Sequence, residues 1–424
     1  MKKITNDRFQ ETYYEETLEN GLKVVLWEKP NFKKSFFMMA TPLGALDLIQ
    51  IDENGNKYEF PSGIAHFLEH KMFEKQNRDV MEEFTSMGAN CNAFTSYSET
   101  AYYFSTSDNP IQPLHLLMDF VQELDISESS VEKEKGIIIQ ELEMYMQMSE
   151  SRMLNETMAA LYENHPLKFD IGGSRESVNA ITKKDLDQCY MLNYHPSRML
   201  LIGVTGHDIQ TIMNEIRKNQ NSKSFLPTKK IKRITIDERE DVYKAHNNVY
   251  MDVGVPKVSV AFKLKGIKNP SERNKMEWKY KLLLDMYFSS MNPSLQKWID
   301  DGIINNSFSF EIDFGDDYGM ILFYSETNER EKFVHTILHT LSSIQSIEEA
   351  ALNQLKQRYF GVSISALGSM KQIAITYMRN YFAKQDFFES IEDLENISTN
   401  ELLDALSLIN LDNYSCVTIE KNKE

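Results

Sequence analysis

The chain has 424 residues, 42% of them hydrophobic and 26% charged, the composition of a globular protein long enough for two cores of about 200 residues each. Its net charge of −17, with no Lys/Arg cluster interleaved with aromatics, argues against nucleic acid as a partner. No run approaches the roughly 18 apolar residues of a membrane span, and the N-terminal MKKITNDRFQETYYEETLEN has no apolar secretory core. Cys91, Cys189 and Cys416 are odd in number and far apart, which fits small core thiols in a reducing cytoplasm. The Asn-, Lys-, Ile- and Met-rich usage fits a low-GC bacterium.

In chain order, strand patterns at 22–28 and 35–41 come first. Pro61-Ser62-Gly63 then reads as a loop feeding a helix that carries His66-Phe67-Leu68-Glu69-His70. On a helix the two histidines lie one turn apart on one face, with Glu69 beside them. Two imidazoles so placed chelate a divalent metal, and the carboxylate can take a proton from water. The order H-x-x-E-H is the reverse of the commoner zinc-hydrolase motif. A histidine pair alone would read as a satisfied core pair or a surface stripe. Glu69, on a helix as apolar as Ile64, Phe67, Leu68, Met72 and Phe73 make it, turns the reading towards a metal site, because burying all three polar groups unpaired is costly.

A strand at 100–106 and helices at 111–124, 131–148 and 153–163 follow. A catalytic zinc takes three protein ligands, so the third belongs on a separate element, and the helix at 131–148 is the candidate. Glu134 and Glu141 are two turns apart and share a face with apolar Ile137 and Ile138 between them. Their alternative is a solvated stripe with Lys133 and Lys135; Glu132 and Glu143 fall on other faces. A capping box at Thr182–Asp185 opens a helix that leads to a strand at 199–205. The charge-rich 229–241 reads as a linker. Beyond it come strands at 258–264, 319–325 and 414–419, and helices at 278–291, 331–344 and 348–367. The box recurs at Ser398–Glu401, again before a strand; the Ile that precedes it moves from position 181 to 397, an offset of 216 residues or about half the chain. A duplicated α+β domain is the economical account: 1–228 carrying the metal site, the linker 229–241, and 242–424 as a homologous half without one. His335 and His339 also stand four apart, but without a carboxylate between them they read as one side of an amphipathic helix. His115, His165 and His195 have no partner in sequence.

These segments together resemble the pitrilysin family of zinc metallopeptidases, which includes insulin-degrading enzyme and the mitochondrial processing peptidase. HFLEH at 66–70 matches the family's inverted motif and EKGIIIQE at 134–141 its distant E-x6-E pair. LENGLKVVLWEKP at 18–30, GANCNAFTSYSETAYYF at 88–104 and NHPLKFDIGGSRESVNAIT at 164–182 resemble further family stretches, so the match covers the first half in order and the second half loosely. The resemblance implies two repeated domains, each a mostly antiparallel sheet covered by helices. It implies Zn²⁺ held by His66, His70 and Glu141, with Glu69 as general base and Glu134 in a supporting role. It also implies that Asn92, Ala93, Phe94 and Thr95 form an edge strand on which an extended peptide pairs its backbone.

The second half departs from the family. Active single-chain members carry an Arg and a Tyr that polarise the substrate carbonyl; aligned on Gly302, those positions here are Trp298 and Asn305. Tyr318, Tyr324 and the pair Arg379/Tyr381 are the other candidates in this half. Some family members divide the labour between paralogous subunits. The expectation is therefore a zinc-bearing subunit of a heterodimeric metalloendopeptidase whose closed chamber admits short or unfolded peptides. Leader-peptide processing of a bacteriocin-type peptide is one such task. The alternatives are a non-catalytic binding or assembly member of the family and a self-sufficient homodimer.

Overall fold

The computed structural model describes residues 1–75 and 78–422. They fall into two compact units that are discontinuous in sequence. The first comprises Met1–Glu143, Asp170–Ile234 and Ile364–Phe382; the second comprises Met144–Phe169, Thr235–Ser363 and Ala383–Glu424. The architecture is α+β, with one principal sheet per unit.

The sheet of the first unit has seven strands in the spatial order Lys2–Asn6, Glu11–Thr17, Lys23–Glu28, Leu200–Thr205, Ser35–Thr41, Thr100–Thr106 and Ala89–Thr95. All neighbours are antiparallel except Lys23–Glu28 and Leu200–Thr205, which run parallel. The central strands are buried along their whole length because Leu200–Thr205 and Ser35–Thr41 are almost unbroken apolar runs, the pattern of a sheet covered on both faces. Its core gathers Leu22, Phe37, Phe67, Leu68, Phe84, Tyr102, Phe104 and Phe120.

The second unit repeats this path with five strands, ordered His246–Met251, Tyr414–Lys421, Lys257–Leu264, Gly319–Glu326 and Ser309–Phe314. Its single parallel pair is His246–Met251 with Tyr414–Lys421. Strand for strand, this is the arrangement from Lys23–Glu28 to Ala89–Thr95. Both expected capping boxes are present, with Thr182 closing on Asp185 and Ser398 on Glu401. In each the apolar residues flanking the box, Ile181 with Leu186 and Ile397 with Leu402, are buried, as in a hydrophobic staple.

Two helices lie outside a single cut at 229–241. Helix Ser149–Leu161, from the first half of the chain, belongs to the second unit: Met153 and Ala160 pack with Val417 and Ile419, and Thr157 shares a 2.7 Å hydrogen bond with Ser259. Helix Met370–Ala383, from the second half, belongs to the first unit. There Tyr377 stands edge-on to Tyr13 and Trp27 at 5.6 and 6.0 Å. The segment read as a linker is also more than a spacer. Ile231–Arg233 adds a strand beside Ile49–Asp52. Glu238, with only 7% of its side chain exposed, accepts the backbone N–H groups of Glu163, Asn164 and His165 at 3.2, 2.6 and 2.8 Å and the Lys263 ammonium at 2.8 Å.

Candidate metal centre

The helix that carries the inverted motif spans Ile64–Phe73. Gly63 precedes it at φ +89°, a left-handed turn that L side chains rarely adopt, and a Cβ there would lie 2.3 Å from the Gly172 carbonyl oxygen. Ile64, Phe67, Leu68 and Met72 are fully buried, which locks the helix into the core and fixes the direction of its polar face. On that face the His66 and His70 rings sit 4.6 Å apart, edge to face. Helix Glu128–Gln147 supplies the carboxylates. Glu141 Oε2 lies 3.3 Å from His70 Nε2 and 3.9 Å from His66 Nε2. One ligand atom from each of His66, His70 and Glu141 falls within 4.8 Å of the others, and among the described residues this is the one such group of three. Glu134 Oε1 meets the other side of His70, at Nδ1, 3.1 Å away.

The donor set fits a zinc ion: two imidazoles and a carboxylate converge from two elements, with Glu134 backing one imidazole from behind. Burial, then the neighbouring His70, lowers the His66 pKa to about 4, so this imidazole is neutral at neutral pH, as a ligand must be. Its Nδ1 is buried beside Gly172 and has no hydrogen-bond partner among the described residues. Burial would also lower His70, but the Glu134 and Glu141 carboxylates overcome it and raise the pKa to about 9. That proton occupies the charge position a divalent cation would take.

Glu69 stands on the same helix with its carboxyl pKa raised by burial, against a hydrogen bond donated by Thr95. Thr95 Oγ1 lies 2.6 Å from Glu69 Oε2. The edge-strand segment thus bears on the motif through a side chain as well as through its backbone. Strand Ala89–Thr95 pairs with Thr100–Thr106 alone among the described residues, and its other edge is free. Asn92 and Phe94 share one face, where Phe94 and Tyr103 are 6.3 Å apart; Ala93 and Thr95 point to the face of the motif helix.

Lys71 escaped the sequence reading. It is fully buried, paired with Glu74, and its ammonium reaches Glu134 at 3.4 Å and the Ser130 carbonyl at 3.3 Å. Its phase was the available signal, since residue 71 continues the apolar stripe of 64, 67 and 68. Gly172 closes against the site as well: a Cβ there would come within 2.8 Å of Leu142 and 3.3 Å of His66 Nδ1. In the second unit, Trp298 packs on Phe288 and Asn305 bonds Ser307 and Glu326. Tyr318 donates to Asp313, and Tyr324 accepts from Lys257. Arg379 lies in the first unit, where its Nε donates to Glu99 at 3.0 Å.

Residues 53–175 match the family description Insulinase (Peptidase family M16), and residues 180–359 match Peptidase M16 inactive domain. The zinc protease YmfH of Bacillus subtilis is 34% identical over 406 residues, 95% of each chain. The chain belongs to the M16 (insulinase) peptidase family. The crystal structure of an M16-like peptidase from Alicyclobacillus acidocaldarius superposes with a TM-score of 0.93 at 30% identity, over 97% of this chain and 99% of that one. The human mitochondrial-processing peptidase subunit beta is 30% identical over 163 residues, 36% of this chain and 33% of its own. A protease from Helicobacter pylori shares the fold, with a TM-score of 0.82 at 19% identity over 96% and 99% of the two chains. The family and the repeated α+β fold expected from the sequence are therefore established. None of the structure's helices, among the described residues, is long and apolar enough to cross a membrane.

Proposed function

We propose that this M16 chain is a zinc-dependent metalloendopeptidase subunit, with His66, His70 and Glu141 as the zinc ligands. The carrying observation is that these three side chains, from two elements, bring their ligand atoms within 4.8 Å of one another with Glu69 on the adjoining turn. Zinc bound there would supply a Lewis acid that acidifies water and polarises a peptide carbonyl. Glu69 takes the proton of the attacking water and returns it to the leaving amine, and its burial moves its pKa up towards the range where a carboxylate does both. Thr95 holds one Glu69 oxygen and leaves the other for the water. Glu134 fixes the His70 ring from behind, so that Nε2 faces Glu141. The free edge of Asn92, Ala93, Phe94 and Thr95 pairs with the backbone of an extended peptide.

In this reading the catalytic half is 1–228 and the half at 242–424 has no metal site. A paralogous subunit contributes the carbonyl-polarising Arg and Tyr, because Trp298 and Asn305 stand in their places and both are engaged within their own unit. The pair encloses a chamber for short or unfolded peptides in the cytoplasm, with bacteriocin-type leader peptides as a substrate class. The same two residues, together with the match of 180–359 to an inactive domain, favour the second reading, a non-catalytic member.

One set of measurements separates these readings: zinc content and peptide cleavage, alone and with a paralogue. Glu69→Gln retains zinc and loses nearly all hydrolysis, whereas His70→Ala loses both. A Glu69→Gln chain of undiminished activity refutes the mechanism. Cleavage by the isolated chain points to a homodimer, and zinc binding without cleavage in either setting supports the binding member.

A further inference from the structure

A cavity of about 660 Å³ opens in the first unit on the face of the sheet turned away from the motif helix. Asn90 and Asn92 of the free edge strand line it, as does Tyr103, which lies opposite Asn92. Its charge sets it apart. Lys33, Lys34 and Lys371 all border it and, among the described residues, no acidic one does, in a chain whose net charge is −17. Among the described residues none of the three lysines is ion-paired with a carboxylate. Lys371 is held instead on Tyr103, 3.0 Å from its hydroxyl and 4.8 Å from its ring centre, and Lys33 and Lys34 are exposed. The wall behind them is aromatic, with Phe36 stacked on Tyr103 at 5.3 Å. Cationic groups over an aromatic wall suit a carboxylate carried on a short aliphatic stem.

The edge strand ties this cavity to the peptide. Side chains of a strand alternate between faces, so a peptide laid along Ala89–Thr95 turns one set towards Glu69 and the other towards Asn90, Asn92 and the lysines. At about 3.3 Å per residue, Asn92 and Asn90 lie roughly 10 and 17 Å along the strand from Thr95, the residue that touches Glu69. We infer that the cavity is a specificity subsite for an acidic side chain, Asp or Glu, borne by the bound peptide about three to five residues from the bond that is cut. The inference rests on the proposal that this edge takes the peptide. It adds a side-chain preference where backbone pairing alone is nearly indifferent to sequence.

The test is a binding measurement on the full-length chain, carrying Glu69→Gln so that peptide is not consumed. Labelled peptides with amidated C-termini differ only by Glu or Gln, scanned across the positions three to five residues to either side of the site. Fluorescence anisotropy in low salt is expected to show about tenfold tighter binding for Glu at one position or at two alternate ones, about 1.4 kcal/mol. The preference fades as salt rises and surface charges are screened. Triple replacement of Lys33, Lys34 and Lys371 by Gln abolishes it without changing affinity for the Gln peptide, and triple replacement by Glu reverses it, so that the Gln peptide binds the tighter. Equal binding of Glu and Gln peptides at every position overturns the inference, as does a Glu preference that survives in the triple variants. Hydrolysis by the wild-type chain, alone and with a paralogue, is scored separately. A Glu preference without hydrolysis in either setting sinks the peptidase reading alone, and hydrolysis without the preference sinks the subsite alone.

Discussion

Replacing Glu238 by Gln removes the charge on which three consecutive backbone N–H groups and the Lys263 ammonium converge. Burial alone would raise the pKa of this carboxyl, but Lys263 and the N–H groups of Asn164, Glu163 and His165 bring it down from 4.5 to about 2. A difference of that size corresponds to about 3 kcal/mol of proton-linked stability, which solvent at the rim reduces to about 2 kcal/mol. The folded pKa is depressed, so the stabilisation is full above pH 4.5 and is lost as pH falls towards 2. Glu238→Gln is therefore expected to lose about 2 kcal/mol at pH 7, with the gap to wild type closing below pH 4.5. Lys263, 5% exposed, would lose its carboxylate partner and keep the Asp241 carbonyl at 3.2 Å and the face of Tyr162. A chain of two units need not unfold in one step, so hydrogen exchange at Glu163, Asn164 and His165 is the local readout beside urea unfolding. Unchanged protection of those amides at pH 7, or a stability gap that ignores pH between 5 and 3, refutes the reasoning.

Thr95→Val removes the 2.6 Å bond to Glu69 while keeping the shape of the strand, and kcat is expected to fall about tenfold with zinc content unchanged; loss of zinc instead would give Thr95 a role in the fold of the site. Gly63→Ala places a methyl at φ +89° and 2.3 Å from a carbonyl oxygen, at a cost of at least about 2 kcal/mol by thermal unfolding, with metal retention impaired. Gly136→Ala acts in the opposite sense. It lies inside helix Glu128–Gln147 with nothing within 4 Å of the added Cβ, and a gain of about 0.5–1 kcal/mol is expected from urea unfolding. Destabilisation there would mean that the glycine meets something beyond this chain.

What could be read beforehand was what periodicity encodes. The helix expected at 131–148 spans Glu128–Gln147, that at 331–344 spans Arg330–Ser343, and the strands at 35–41 and 100–106 keep their bounds. The shared face of His66 and His70, and that of Glu134 and Glu141, were legible for the same reason, since separations of four and seven fix a face of one helix; that Glu141 meets the two histidines was implied by the resemblance to the family and not by spacing. The N-terminal hairpin of Lys2–Asn6 and Glu11–Thr17 was not, because its side chains are largely polar and partly exposed. Thr95 on Glu69 and Lys71 on Glu134 depend on contacts between elements, which no local pattern carries. The charge-rich run at 229–241 reads as a linker, and the burial of Glu238 among its donors depends on contacts that composition does not carry.

The exchange of helices between the two repeats has a practical consequence for anyone dividing the gene. A fragment ending near residue 234 would take Ser149–Leu161 away from Val417 and Ile419 and forfeit the helix that seats Tyr377 on Trp27. Each piece would carry a strip of apolar surface shaped for a helix left on the other. Such pieces are poor candidates for separate expression, and well suited to reconstitution when made together.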